Sequence, residues 1–356
     1  RRILDTGLDA AAIYYGLSDG DIGAWWIGNP WRSSEAGRAV AYFGDAADRR
    51  IIQYRVPSAQ VTDTTFWRAR SYGAGFSWGW APIARPSRYL RTGVRAELRN
   101  DRYFAYDDSA SIAASPDSFR AWFGGFAEMR VNRFQVRPYV NGFAPEDVDL
   151  SPYAYASVSF APKPFGYDRT GLGLGAGAGL AGSTGSGEVL YRLAVATNGL
   201  FTGDGLDSGR VVLTAAVAAK PAERHVALLR AQAGALNDPA PGGEFDLGFD
   251  VGPRVWEPHS FVGTSAAWGT LEYRWYVWDE LLSLIGVGLA AFLDYGGAWY
   301  PRQDPRWGGN AGVGLRLGST RSSGGRSYRF DIGYRFGQDA SEERWALNVG
   351  TDVALF

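Results

Sequence analysis

The chain has 356 residues, a formal net charge of −1 and no cysteine. That excludes a disulfide framework, thiolate metal sites and thiol catalysis, and it argues against a nucleic-acid binder working through a broad basic face. With 48 glycines, 15% aromatic residues and no helical apolar stripe, the chain reads as all-β rather than as two or three soluble α/β domains.

Residues 1–65 are the least legible. Ala10–Leu17 and Asp21–Ile27 look like strand pieces. Gly37–Gly44 and Arg50–Val56 look like two more, split by a polar turn at Asp45–Asp48. The region is expected to be uncertain N-terminal strands or a plug. From Phe66 the alternation sharpens. Phe66–Trp80 is a strand, and the two prolines of Ala81–Ser87 mark a turn. In Arg88–Arg99 the residues Tyr89, Arg91, Gly93, Arg95, Glu97 and Arg99 share a face, which suits a wet interior. Phe119–Val131 and Phe134–Phe143 read as a hairpin. Tyr153–Phe160, Gly171–Leu180, Glu188–Val195, Arg210–Ala218 and His225–Ala235 follow, with Gly182–Gly187 and Asn198–Ser208 as loops.

Gly171, Gly173, Gly175, Gly177 and Gly179 alternate strictly with Leu and Ala. No helix pattern or P-loop lysine follows, so a nucleotide loop is rejected in favour of a strand with a glycine inner face. Residues 237–265 form a long non-periodic loop, a length that usually signals function or disorder.

The last third, residues 266–356, carries the clearest pattern. In Leu284–Trp299, Ile285, Val287, Leu289, Ala291, Leu293 and Tyr295 alternate with Gly286, Gly288, Ala290, Phe292, Asp294 and Gly296. One face is apolar throughout, and the other is mostly small with one carboxylate. Ala267–Trp278, Ala311–Gly318, Tyr328–Phe336 and Trp345–Phe356 repeat the scheme, with Glu272, Arg274, Arg316, Arg329 and Arg335 on the face opposite the large apolar residues. Such a wall belongs in a bilayer with a polar lumen. The longest apolar run, near Leu281–Leu293, is too short for a spanning helix. Trp268, Trp278, Trp299 and Trp345 at strand ends fit interfacial girdles. The expectation is a transmembrane antiparallel β-barrel of sixteen strands, an even number as single-chain bacterial barrels have, with a long loop folded into the lumen.

In order along the chain, Gly252-Pro-Arg-Val-Trp-Glu-Pro-His-Ser-Phe-Val-Gly-Thr264, Leu-Glu-Tyr-Arg274, Ala-Phe-Leu-Asp-Tyr-Gly296, Gly-Val-Gly-Leu-Arg316, Arg-Phe-Asp-Ile-Gly333 and a terminal Phe356 resemble the C-terminal half of bacterial surface-antigen barrels. These are the BamA/TamA-like insertases and the two-partner-secretion translocases. The resemblance covers roughly the last 105 residues. It implies a bacterial outer-membrane protein that assists insertion or passage of proteins or lipids, with no enzymatic step and no cofactor. It implies as partners outer-membrane lipid, lipopolysaccharide, and other envelope proteins or a periplasmic module. The alternative class is a passive pore or a structural scaffold in a larger envelope complex. No POTRA-like βααββ unit is visible in residues 1–65.

The resemblance also implies a loop motif at Arg254, Val255 and Trp256. Its arginine would meet the lumen carboxylate Asp294, with Glu272 as a second acid, and Arg274, Arg316, Arg329 and Arg335 as lumen bases. Phe356 would be the C-terminal signal at the seam between first and last strands. Val255 stands where the family has glycine, so a tip bent differently is expected, because a β-branched residue resists positive φ.

The remaining candidates are weaker. His259 and Ser260 are adjacent and lack a third partner, so a hydrolase site is disfavoured. His225 reads as interfacial. Asp101/Asp107/Asp108 and Glu146/Asp147/Asp149 read as solvated loop acids rather than metal ligands.

Overall fold

A computed structural model of the chain describes residues 2–3, 7–54, 64–106, 118–165, 169–185, 187–249, 251–282, 284–319, 327–337 and 343–351. Strands β1 (Arg2–Ile3), β2 (Leu8–Leu17), β3 (Gly20–Asn29), β4 (Arg38–Tyr54), β5 (Thr64–Arg85), β6 (Arg88–Ala105) and β7 (Ser118–Val131) pair in sequence order, all antiparallel. The chain then leaves the wall for a hairpin, β8 (Phe134–Arg137) and β9 (Glu146–Asp149). It rejoins at β10 (Tyr153–Ala161), which pairs with β7. Strands β11 (Gly171–Ser183), β12 (Val189–Thr202), β13 (Gly205–Ala222) and β14 (His225–Asn237) continue the meander. A second excursion holds β15 (Phe245–Leu247) and β16 (Phe261–Gly263). Strands β17 (Ser265–Leu281), β18 (Ile285–Trp299), β19 (Arg306–Ser319), β20 (Tyr328–Gly337) and β21 (Trp345–Thr351) complete the sheet. Leaving aside the two-residue β1, the wall has sixteen strands.

The fold is an all-β, sixteen-stranded antiparallel barrel, and the period of two decides its faces. Leu271, Tyr273, Leu289, Leu293, Val313, Phe330, Ile332, Leu347 and Val349 lie exposed on the outside. Glu272, Arg274, Asp294, Arg316 and Asp331 alternate with them and are buried inside. No helix among the described residues is long and apolar enough to cross a membrane, so the apolar surface belongs to the strands. The sheet curls far enough to bring distant strands together. The Tyr300 hydroxyl, between β18 and β19, donates to the Tyr54 carbonyl at the end of β4 at 2.9 Å. Gln53 likewise donates to Glu244 of the second excursion.

Four expectations about elements are corrected. The turn expected over Ala81–Ser87 is confined to residues 86–87, because β5 runs on to Arg85 with a register shift between Trp80 and Ile83 that takes in Pro82. Residues 38–54 are one strand, and Asp45 and Asp48 sit within it. Asp48 accepts from Arg68 at 2.5 Å and Arg70 at 2.9 Å, so cross-strand ion pairing replaces the turn its polarity suggested. Phe134–Phe143 is not the partner of Phe119–Val131; its first residues pair with β9 in a separate two-stranded sheet. Residues 198–208 are mostly strand, with Thr202 and Gly205 paired across a tight turn. Trp268 is also no girdle residue. It points inward and is 7% exposed, whereas Trp278 and Trp345 face out.

The two excursions enter from opposite ends, because β7 is the sixth wall strand and β14 the eleventh, and antiparallel strands alternate in direction. The excursion after β7 buries Val140, Phe143, Val148 and Leu150 against the inward-facing Leu190, Ala218, Val226, Leu228 and Tyr276. Phe143 lies where a Cβ on Gly286 would come within 2.2 Å of its ring. Glycine there makes room for the aromatic side chain.

Candidate functional site

The excursion after β14, residues 238–264, is itself a hairpin. Its stem is the β15–β16 ladder, Phe245↔Gly263 to Leu247↔Phe261. The stem is anchored by an apolar cluster in which Leu247, Trp256 and Phe261 pack on Ala266, Trp268 and Ala298 of the inner wall. Beyond the stem, residues 251–260 turn back into the lumen and place Arg254 against the wall.

Arg254 is 5% exposed and fully engaged. Its Nε donates to Asp294 Oδ2 at 2.8 Å and its Nη2 to Asp294 Oδ1 at 3.0 Å, the two-pronged pairing a planar guanidinium makes with a carboxylate. Its Nη1 donates to Glu272 Oε2 at 2.6 Å and to Asp331 Oδ2 at 3.3 Å. The backbone N–H of Arg254 also donates to Asp294, at 3.2 Å. The guanidinium lies 4.3 Å from the Phe292 ring centroid. One loop residue thus touches carboxylates from three strands, β17, β18 and β20.

The other lumen bases complete the cluster. Arg274 Nε donates to Glu272 at 2.6 Å. Arg316 is 1% exposed and bridges Glu272 at 3.0 Å and Asp331 at 2.5 Å. Arg329 Nε lies 3.9 Å from Asp331. Arg335 stands apart from the acids of the cluster. Its Nε donates to the Val255 carbonyl at 2.7 Å, and its Nη1 to Glu257 at 3.4 Å. In so dry a setting each carboxylate needs several donors to offset its lost hydration, and each has them.

Val255 fits without the positive φ that a glycine at this place would allow, since it is not among the described residues with that conformation. Its side chain is 2% exposed. A Cβ on Gly333 would meet the Val255 methyls at 3.1 and 3.2 Å, so the wall glycine supplies the space that the loop does not leave. Trp256 donates its indole N–H to the Gly309 carbonyl at 2.9 Å.

Three members of this site are not singled out by sequence reasoning. Asp331 sits on the inward face of Tyr328–Phe336 but draws notice only once register sets it beside Gly314 and near Arg316. Asn310, directly opposite Asp294, donates to it at 2.8 Å. Asn348, on the last strand, donates to the carbonyls of Phe249 at 3.1 Å and Arg254 at 2.8 Å, so β21 also holds the loop. Phe356, Asp107 and Asp108 lie outside the described residues.

The remaining described candidates have structural partners except Asp147, which is exposed. His259 pairs through Nδ1 with Asp246 and stacks on Tyr54 at 3.6 Å. Ser260 donates to the Glu257 carbonyl at 2.7 Å and not to the histidine. His225 accepts or donates at 2.8 Å with the Tyr273 hydroxyl. Glu146 accepts the Asn141 backbone N–H at 2.7 Å, and Asp149 pairs with Arg130.

No family model matches the sequence, and no curated protein matches it. Similar solved structures include BamA from Haemophilus ducreyi lacking POTRA domains 1–3, at 11% identity and a TM-score of 0.46, covering 94% of this chain and 62% of that one. CdiB from Escherichia coli is 13% identical, with a TM-score of 0.40 over 97% of this chain and 62% of that one. CdiB from Acinetobacter baumannii is 11% identical, with a TM-score of 0.39 over 97% and 59%. The chain spans less than two thirds of the length of each.

Proposed function

We propose that this chain is the barrel of a bacterial outer-membrane insertase or translocase of the surface-antigen kind, assisting entry or passage of proteins or lipids without a covalent step. The observation that carries the reading is the burial of Arg254 among Asp294, Glu272 and Asp331. A loop held by five strands, counting Gly309 and Asn310 of β19 and Asn348 of β21, fixes the C-terminal wall as one unit. The reading leaves the first and last strands as the place where the wall yields to a client. The partners of this activity are outer-membrane lipid and lipopolysaccharide, and envelope proteins that deliver or receive the client.

The test is assembly of a second, unfolded barrel protein into liposomes with and without this chain. Faster assembly with the chain present supports the reading, and equal rates sink it. The rival reading, a passive pore or scaffold, has its own support in the hollow half of the lumen described below. Conductance of small ions in planar bilayers separates the two, since a barrel filled from both ends conducts little and a pore conducts steadily.

A further inference from the structure

We propose that the half of the lumen opposite the docked loop contains a binding cleft for a neutral saccharide chain, independent of any insertase activity. The cleft is built by register. Ser77, Arg95, Gly124, Ser159 and Gly173 stand in one row across β5, β6, β7, β10 and β11. Phe126, Ser157, Gly175 and Asn198 stand in the next. The glycines give the wall depth, and two connected cavities of about 520 and 270 Å³ result, sharing Trp122, Ser157 and Ser159. Their combined size is in the range of small-molecule sites.

The lining chemistry narrows the ligand. Trp26, Phe43, Trp122 and Phe126 offer aromatic faces around the larger cavity. Arg95 lies 4.9 Å from the Phe43 centroid and 5.4 Å from that of Trp122. It donates to Glu97 at 2.8 Å, and its side chain is 47% exposed. Ser77, Ser157, Ser159, Asn198 and Ser208 line the cleft, and their side chains make no hydrogen bond to any described residue. The site therefore presents ring faces, free hydroxyl and amide groups that both donate and accept, and a cation whose charge Glu97 already balances. Arg95, the cation lining these two cavities, is already paired with Glu97, while Arg210 stands beside Asn198 at the rim, and an acyl chain would leave the hydroxyls unmatched. A pyranose matches all three features, with apolar C–H faces for the rings and hydroxyls that donate and accept. The elongated shape, running from Trp26 on β3 to Ser208 on β13, suits several linked sugar rings.

Calorimetric titration of the detergent-solubilised full chain with maltotriose, cellotriose and a glucuronic-acid trisaccharide tests this. Saturable binding of a neutral trisaccharide is expected, and Trp122→Ala weakens it about tenfold. The double variant S157A/S159A, which leaves the aromatic platform intact, is expected to weaken it as well, so the proposal stays testable if Trp122→Ala fails to fold. Absence of saturable binding by both neutral trisaccharides, binding by the acidic one alone, or affinity unchanged in the folded variants would overturn the proposal. Barrel assembly in liposomes should be the same for wild type and S157A/S159A, so failure of the insertase reading leaves this result standing.

Discussion

The two halves of the lumen follow one rule and reach opposite ends. In both, inward residues alternate with apolar outward ones, and in both the inward set carries arginines and acids. Around β17–β20 the acids come from separate strands, and a loop arginine joins them. Asp294 is 0% exposed, and the half is dry and filled. Around β3–β12 the charged residues form small separate pairs, along one strand as Arg95 with Glu97 and Arg99 with Asp101, or between strands as Arg91 with Glu128 and Arg99 with Asp45. Glycine and serine occupy the places between them, and the half stays hollow. What separates a packed lumen from an open one is whether an excursion brings side chains to meet the wall.

The sharpest break of this contrast is Asp294→Ala. It strips the Arg254 guanidinium of its two-pronged partner inside a buried cluster, and stability should fall by about 3–5 kcal/mol. Urea unfolding in detergent reads the loss, and protease should then cut within residues 238–264. Next is Phe143→Ala at the other end of the barrel. Emptying its place beside Gly286 should cost about 3 kcal/mol. It should also raise single-channel conductance if this excursion closes its end of the lumen. Gly333→Ala should cost about 1–2 kcal/mol by crowding the Val255 methyls, measured by the same unfolding, and Val255→Ala should relieve it. The smallest effect is Arg95→Gln in the hollow half. Its ion pair is half exposed, so the change should stay within about 1 kcal/mol, and a larger loss would erase the distinction between the halves.

Much of the wall was legible because a strand needs only its own residues to show period two. Leu284–Trp299 announces both faces, and the parity of Asp294 places it inside before any partner is known. The failures share a cause. Phe134–Arg137 alternates as a wall strand does, and nothing local tells a hairpin inside the barrel from one in its wall. Asp45 and Asp48 read as a turn because their arginine partners lie on other strands, Arg68 and Arg70 on β5 and Arg99 on β6. Trp268 stands at a strand end like a girdle residue, yet its parity with Glu272 turns it inward. Asp331, Asn310 and Asn348 join the Arg254 cluster only through the folded wall, which links residues up to 99 positions apart in sequence. The place of Val255 depends on Gly333, a residue on another strand, so the loop tip could not be read from the loop alone.

The most direct measurement compares wild type, Arg254→Ala and Arg95→Gln as catalysts of barrel assembly in the same liposomes. Arg254→Ala should slow assembly at least about tenfold, the rate equivalent of about 1.4 kcal/mol, while Arg95→Gln stays close to wild type. Equal rates for wild type and Arg254→Ala, or no acceleration by wild type over empty liposomes, would contradict the account.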